Sequence, residues 1–121
     1  MTSQDTVQKS EAARIGRRLT WAREILGYTR SEFSRELGID AAFVTKMENG
    51  QRIPSVFLVM SMCHVLHISP QYLLWGSLKG VEGELATKLL DAHPELRQQR
   101  APPYPGKTRK SASGKRAEAA L

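Results

Sequence analysis

Only three residues, Gly38, Ile39 and Asp40, separate two short amphipathic segments, and this spacing constrains the fold more than any other feature of the chain. Upstream, Thr29 followed by Glu32 has the form of a capping box, and Phe33 with Leu37 marks the buried side of a short helix. Downstream, Asp40 stands as N-cap for a helix from Ala41 to Glu48 or Asn49, with Val44 and Met47 facing inward. Gly38 can take a left-handed backbone without a Cβ penalty, so the chain can reverse between the two helices. Helices joined this tightly cross at a steep angle and need a small residue where they touch, a place Ser34 is positioned to fill. At about 100° per residue, Ala42, Thr45, Lys46 and Asn49 fall on the flank opposite Val44 and Met47.

The rest of the chain follows a similar grammar. Ile15, Leu19, Ala22 and Leu26 recur at helical spacing within a segment from Glu11 to Leu26, and Gly27 ends it. Arg14, Arg17, Arg18 and Arg23 occupy its other faces. After the loop from Gly50 to Pro54, Ser55 opens a fourth helix to about Leu66. Ser69 and Pro70 open a fifth, Gln71 to Trp75, closed by Gly76. A sixth is expected from Glu82 to Ala92, with Leu85, Leu89 and Ala92 on one face, before Pro94 breaks it. No stretch alternates with period two and no internal repeat is found, so the fold class is all-α: a compact five-helix unit, a sixth helix and a tail. The division is a flexible N-terminus (1–10), a folded domain (11–76), a linker with the sixth helix (77–100) and a disordered basic tail (101–121), which is too poor in large apolar groups to offset ordering entropy.

Composition removes several functional classes. The chain of 121 residues holds 18 Lys+Arg against 12 Asp+Glu, a net charge of +6. Of that excess, +2 lies on 11–76 (eight basic, six acidic) and +4 on 101–121 (five basic, one acidic), which suits an anionic partner such as nucleic acid. One cysteine, Cys63, cannot form an intramolecular disulfide. The opening MTSQDTVQKS has no apolar core for a secretory signal, and the most apolar stretch, Val56 to Leu66, falls short of the roughly 20 residues that span a membrane. A cytoplasmic location and no membrane partner are therefore expected. Cys63 and His67 share a helix face, but only His64 and His93 remain as further donors of that kind, so no metal is expected; Cys63 is read as a small core residue and His64 as a surface one. No glycine loop for phosphates and no nucleophile–base pair is found, so neither an enzyme nor a cofactor is expected.

Residues Ile15 to Gly76 resemble the helix-turn-helix domain of the lambdoid phage repressors, Cro proteins and xenobiotic-response-element regulators. The resemblance is carried by Arg23…Gly27-Tyr28-Thr29, by Leu37-Gly38-Ile39, by Val44 through Pro54 and by His67 through Gly76. It implies that Arg23 and Glu48 form a structural pair between the first and third helices. It implies base contacts from Ala41, Ala42, Phe43, Thr45 and Lys46, and phosphate contacts from Thr29, Arg30, Asn49 and Arg52. The chain departs from the family in three places. Arg30 stands where glutamine is frequent. Ala41-Ala42-Phe43 replaces polar base readers, so thymine methyl contacts, DNA shape and Lys46 at guanine would carry the reading. His67 stands where a helix-ending glycine is usual, in a conformation histidine tolerates less well.

The implied function is a sequence-specific DNA-binding transcriptional regulator, a repressor acting as a homodimer on a palindromic operator. Its recognition helices would enter successive major grooves, about 34 Å apart. Two alternatives stay open: an antitoxin that binds DNA and, through 82–121, a protein toxin; and a helix-turn-helix interaction module without DNA affinity. The fourth helix is apolar all round, with Val56, Phe57, Leu58, Val59, Met60 and Met62. The face with Phe57 and Leu58, normally polar in the family, has two readings, extra core covered by the sixth helix and a dimer seam, and a mixture of the two is expected. Trp21 and Trp75 are read as packing residues, and the tail charges as a solvated linker with non-specific phosphate contact as the second reading.

Overall fold

In the computed structural model, which describes residues 3–97 with side chains from Gln8 onward, six helices and a short 3₁₀ turn follow one another. They are α1 (Ser3–Ile25), α2 (Arg30–Leu37), α3 (Ala41–Glu48), α4 (Val56–Leu66), α5 (Pro70–Trp75), α6 (Gly83–Ala92) and the turn Pro94–Arg97. No strand occurs among the described residues. The tail expected to be disordered, 101–121, lies outside them.

The helix ends are fixed by local chemistry. Thr29 Oγ1 accepts from the Glu32 amide at 3.0 Å while Glu32 Oε1 accepts from the Thr29 amide at 2.9 Å, completing the capping box of α2. Gly38 closes α2 with φ 74°, and the Ile39 amide reaches back to the Ser34 carbonyl at 3.0 Å, so the turn into α3 costs no Cβ strain. Ser55 and Ser69 cap α4 and α5 through the amides of Leu58 and Tyr72. The Ser69 hydroxyl also donates to the Lys79 carbonyl at 2.7 Å, tying down the chain that leaves α5. Asp40 occupies the N-cap of α3, but its side chain makes no capping bond there.

Three boundaries differ from the reading of the sequence. The first helix starts at Ser3, not Glu11, so most of the segment expected to be flexible is helical; its polar residues lack an apolar period but carry no helix breaker. Leu26, expected on the buried face, is 38 % exposed, because α1 ends at Ile25 and the chain is already turning toward Gly27. Ala92, expected inward with Leu85 and Leu89, is exposed: α6 stops there, and His93 instead lays its ring on Trp21 with centroids 3.9 Å apart.

The core runs through every helix, with Leu19, Ala22, Phe33, Val44, Met62, Leu66, Tyr72, Leu73 and Leu89 fully enclosed. The Tyr72 hydroxyl donates to the Arg18 carbonyl at 2.7 Å, and Arg18 Nη1 donates to the Leu73 carbonyl at 3.0 Å, locking α5 to α1. Burial of these groups pushes the Tyr72 phenol upward and the Arg18 guanidinium downward from their ordinary pKa values. Trp21 and Trp75 are both half-buried. Cys63 is half-buried against the core, where desolvation raises its thiol pKa, and His64 is exposed. No described helix is long and apolar enough to cross a membrane.

Helix α6 packs on α1 and leaves the outer face of α4 open. Val59, Met62 and Leu66 of α4 are buried, whereas Val56, Phe57 and Met60 are 74 %, 80 % and 59 % exposed. Cover by the sixth helix, one of the two readings of that face, is therefore not what the fold provides among the described residues.

Candidate nucleic-acid interface

The placement of α3 begins with its two buried anchors. Val44 and Met47 are enclosed, and the pattern that buries them turns Ala42, Lys46 and Asn49 to solvent. Ala41, Phe43 and Thr45 lie half-buried at the borders of that flank, and Thr45 Oγ1 donates to the Ala41 carbonyl at 3.2 Å. Ser34 is buried where α2 meets α3, its hydroxyl satisfied by the Ser31 carbonyl at 2.8 Å, which lets the two backbones approach.

Behind the flank sits a charged cluster. The Glu48 carboxylate, only 1 % exposed, accepts Arg23 Nε at 2.6 Å and Arg23 Nη2 at 3.2 Å. Arg23 Nη1 also donates to the Tyr28 carbonyl at 2.7 Å, so one buried guanidinium joins α1, the start of α2 and the end of α3. A buried ion pair this fully hydrogen-bonded is weak evidence of net stability, but removing either partner strands a charge in the core, at a cost of about 3–5 kcal/mol.

The same carboxylate holds a second arginine. Arg30 Nε donates to Glu48 Oε1 at 2.9 Å, while the Arg30 side chain stays 45 % exposed. Sequence spacing does not reveal this contact, since 18 residues and a turn separate the partners. The departure from glutamine at position 30 was the one available signal.

The remaining site residues frame α3 on either side. Thr29 and Asn49 are exposed, although the Thr29 hydroxyl oxygen is already engaged by the capping box. The exposed Arg52 places its guanidinium carbon 5.1 Å from the centre of the Phe43 ring. Phe43, expected among the base contacts, is thus half-buried with a cation over its ring. Arg23, Arg30, Lys46 and Arg52 accompany α3, with Glu48 buried at its C-terminal end and Asp40 exposed at its N-cap, and all of these cations but Arg23 reach solvent.

A helix-turn-helix family model matches residues 19–73, the span from the middle of α1 to α5. The chain is 37 % identical over 59 residues to the uncharacterized HTH-type transcriptional regulator YazB of Bacillus subtilis (strain 168), covering 49 % of this chain and 86 % of that protein. It is also similar to the crystal structure of the restriction-modification controller protein C.AhdI from Aeromonas hydrophila, with a TM-score of 0.51 and 26 % identity, over 53 % of this chain and 97 % of that one. The chain belongs to the Cro/C1-type helix-turn-helix family of DNA-binding transcriptional regulators.

Proposed function

We propose that the protein is a repressor that binds a palindromic operator as a homodimer, inserting α3 of each protomer into successive major grooves. The observation that carries this reading is the exposed flank of Ala42, Lys46 and Asn49 between the cations Arg30 and Arg52. Lys46 reads guanine O6/N7, and Ala41, Ala42, Phe43 and Thr45 supply apolar contacts, with thymine methyl groups as the matching base feature. Thr29, Arg30, Asn49 and Arg52 meet the phosphates on either side, which fixes register without reading sequence. Repression follows from occupying promoter DNA.

The dimer forms through the outer face of α4. Its sequence, VFLVMSMCHVL, contains no Asp, Glu, Lys or Arg, so two copies can meet there without like-charge repulsion. Val56, Phe57 and Met60 share one helical face, and the loop residue Ile53, 52 % exposed, extends the apolar area toward α3. The likeness to a restriction-modification controller protein supports a regulatory role.

The test is protection mapping on the DNA upstream of the gene, with the full chain and a Lys46→Ala variant. A symmetric footprint is expected, and Lys46→Ala should relax base preference at one position per half-site, costing about 1–3 kcal/mol there. Binding that is insensitive to salt, or no footprint at all, would favour a protein-interaction module instead.

A further inference from the structure

We propose that Glu48 is a positioning residue for DNA binding. It holds the Arg30 guanidinium at the edge of α3 so that this one side chain bonds the protein through Nε and a backbone phosphate through Nη1 and Nη2. The inference rests on the reading of the α3 flank as the DNA-facing surface.

Charge pairing is the first argument. Glu48 serves two guanidiniums, and the second carboxylate at the cluster, Glu24, is 62 % exposed and approaches Arg23 at 3.9 Å, so Glu48 is the one carboxylate paired with Arg30 among the described residues. Arg30 is also the more exposed of the two: its side chain is 45 % exposed and that of Arg23 only 9 %. A cation that still reaches solvent is thereby fixed beside α3.

Guanidinium geometry is the second. The group is planar and its donors point in fixed directions, so a bond at Nε leaves the Nη1–Nη2 edge aimed away from the acceptor. Nε is the Arg30 side-chain atom that bonds protein among the described residues, and the remaining edge matches two phosphate oxygens. An arginine already held at one edge also has less rotamer freedom to lose when DNA arrives. Lysine, with one ammonium on a flexible stem, cannot serve both partners in this way.

The two roles open to Glu48 differ in sign. If it merely screened Arg30, removing its charge would tighten DNA binding. If it positions Arg30, removing it loosens binding despite the gain in positive charge.

The experiment measures binding of the full chain to a labelled mixed-sequence duplex, about two helical turns long, across a range of NaCl concentrations, since a phosphate contact needs no operator. Arg30→Ala is expected to lower affinity about five- to ten-fold and to reduce the salt slope by about one. Arg30→Lys should recover less than half of that loss on a logarithmic scale. Glu48→Gln should lower affinity several-fold in the wild-type background and have no further effect in an Arg30→Ala background. Unchanged or tighter binding by Glu48→Gln, or full recovery by Arg30→Lys, overturns the proposal. Should Glu48→Gln show no cooperative unfolding transition, Arg30→Lys decides alone. A wild-type chain that ignores the duplex at low salt overturns the DNA reading and the clamp together, whereas wild-type binding with unaffected variants overturns the clamp only.

Discussion

Gly16 of α1 lies directly against the main-chain carbonyl of Glu48, so that a Cβ at position 16 would overlap both the Met47 and the Glu48 carbonyl oxygens. The end of α3 is therefore seated on bare backbone of α1. Gly16→Ala should lose stability by about 1–3 kcal/mol from overpacking, even though alanine gains about 1 kcal/mol in helix propensity. Urea unfolding followed by far-ultraviolet dichroism checks this, and a variant as stable as the parent would show that α1 and α3 can part without cost.

His67 offers the opposite case. It ends α4 in the left-handed region at φ 58°, among the described residues the only one other than glycine with positive φ, and its side chain is exposed. A left-handed backbone costs a non-glycine residue roughly 1–2 kcal/mol, of which added freedom in the unfolded chain returns part when glycine is introduced. His67→Gly should therefore stabilise by about 0.5–1 kcal/mol, and His67→Val should destabilise by more than that. Thermal unfolding of the two variants side by side gives the sign.

His67 and Leu26 show how far the sequence could be read. The left-handed end of α4 was legible only through the family resemblance, in which a glycine usually stands where this chain has His67. The turn at Gly38, the caps at Thr29, Ser55 and Ser69, and the anchors Val44 and Met47 were legible from the residues themselves, all set by neighbours within four residues. Leu26 fits the helical period of α1 but follows its last turn, and periodicity alone does not register where a helix stops. The start of α1 at Ser3 was hidden for a related reason: a polar helix has no apolar stripe to announce it. At the site, the outward flank of α3 follows from its period. The bond from Arg30 to Glu48 and the ring of Phe43 beneath Arg52 depend on how three elements meet, and no spacing encodes that.

The capping box gives α2 a defined acid response. The hydrogen bond from the Thr29 amide, with the Thr29 side chain beside it, holds the Glu32 carboxyl below its ordinary value of 4.5. A folded-state value lower than the unfolded one means the contribution is fully present above 4.5 and fades as pH falls through the lowered value. Wild type should thus lose more thermal stability between neutral and strongly acid solution than Glu32→Gln, which keeps a hydrogen-bonding side chain without the titration. Parallel melting-temperature curves for the two proteins below pH 5 would expose an equal loss, which would remove the box from the acid response.

Phe57 is 80 % exposed at the centre of the open α4 face, so its replacement removes little from the core. Phe57→Asp should leave the unfolding midpoint of the protomer within about 0.5 kcal/mol of wild type, as expected of a surface position. Across the two-fold seam proposed for α4, the same substitution would place like charges opposite each other and remove the largest apolar contact. Sedimentation velocity at micromolar concentration should find wild type as a dimer and Phe57→Asp as a monomer. On a palindromic operator the variant should then bind with the affinity of a single half-site, because the second α3 is no longer tethered at high effective concentration. A variant that stays dimeric places the seam elsewhere, and one that turns monomeric yet binds the full operator undiminished shows that the two α3 helices act independently.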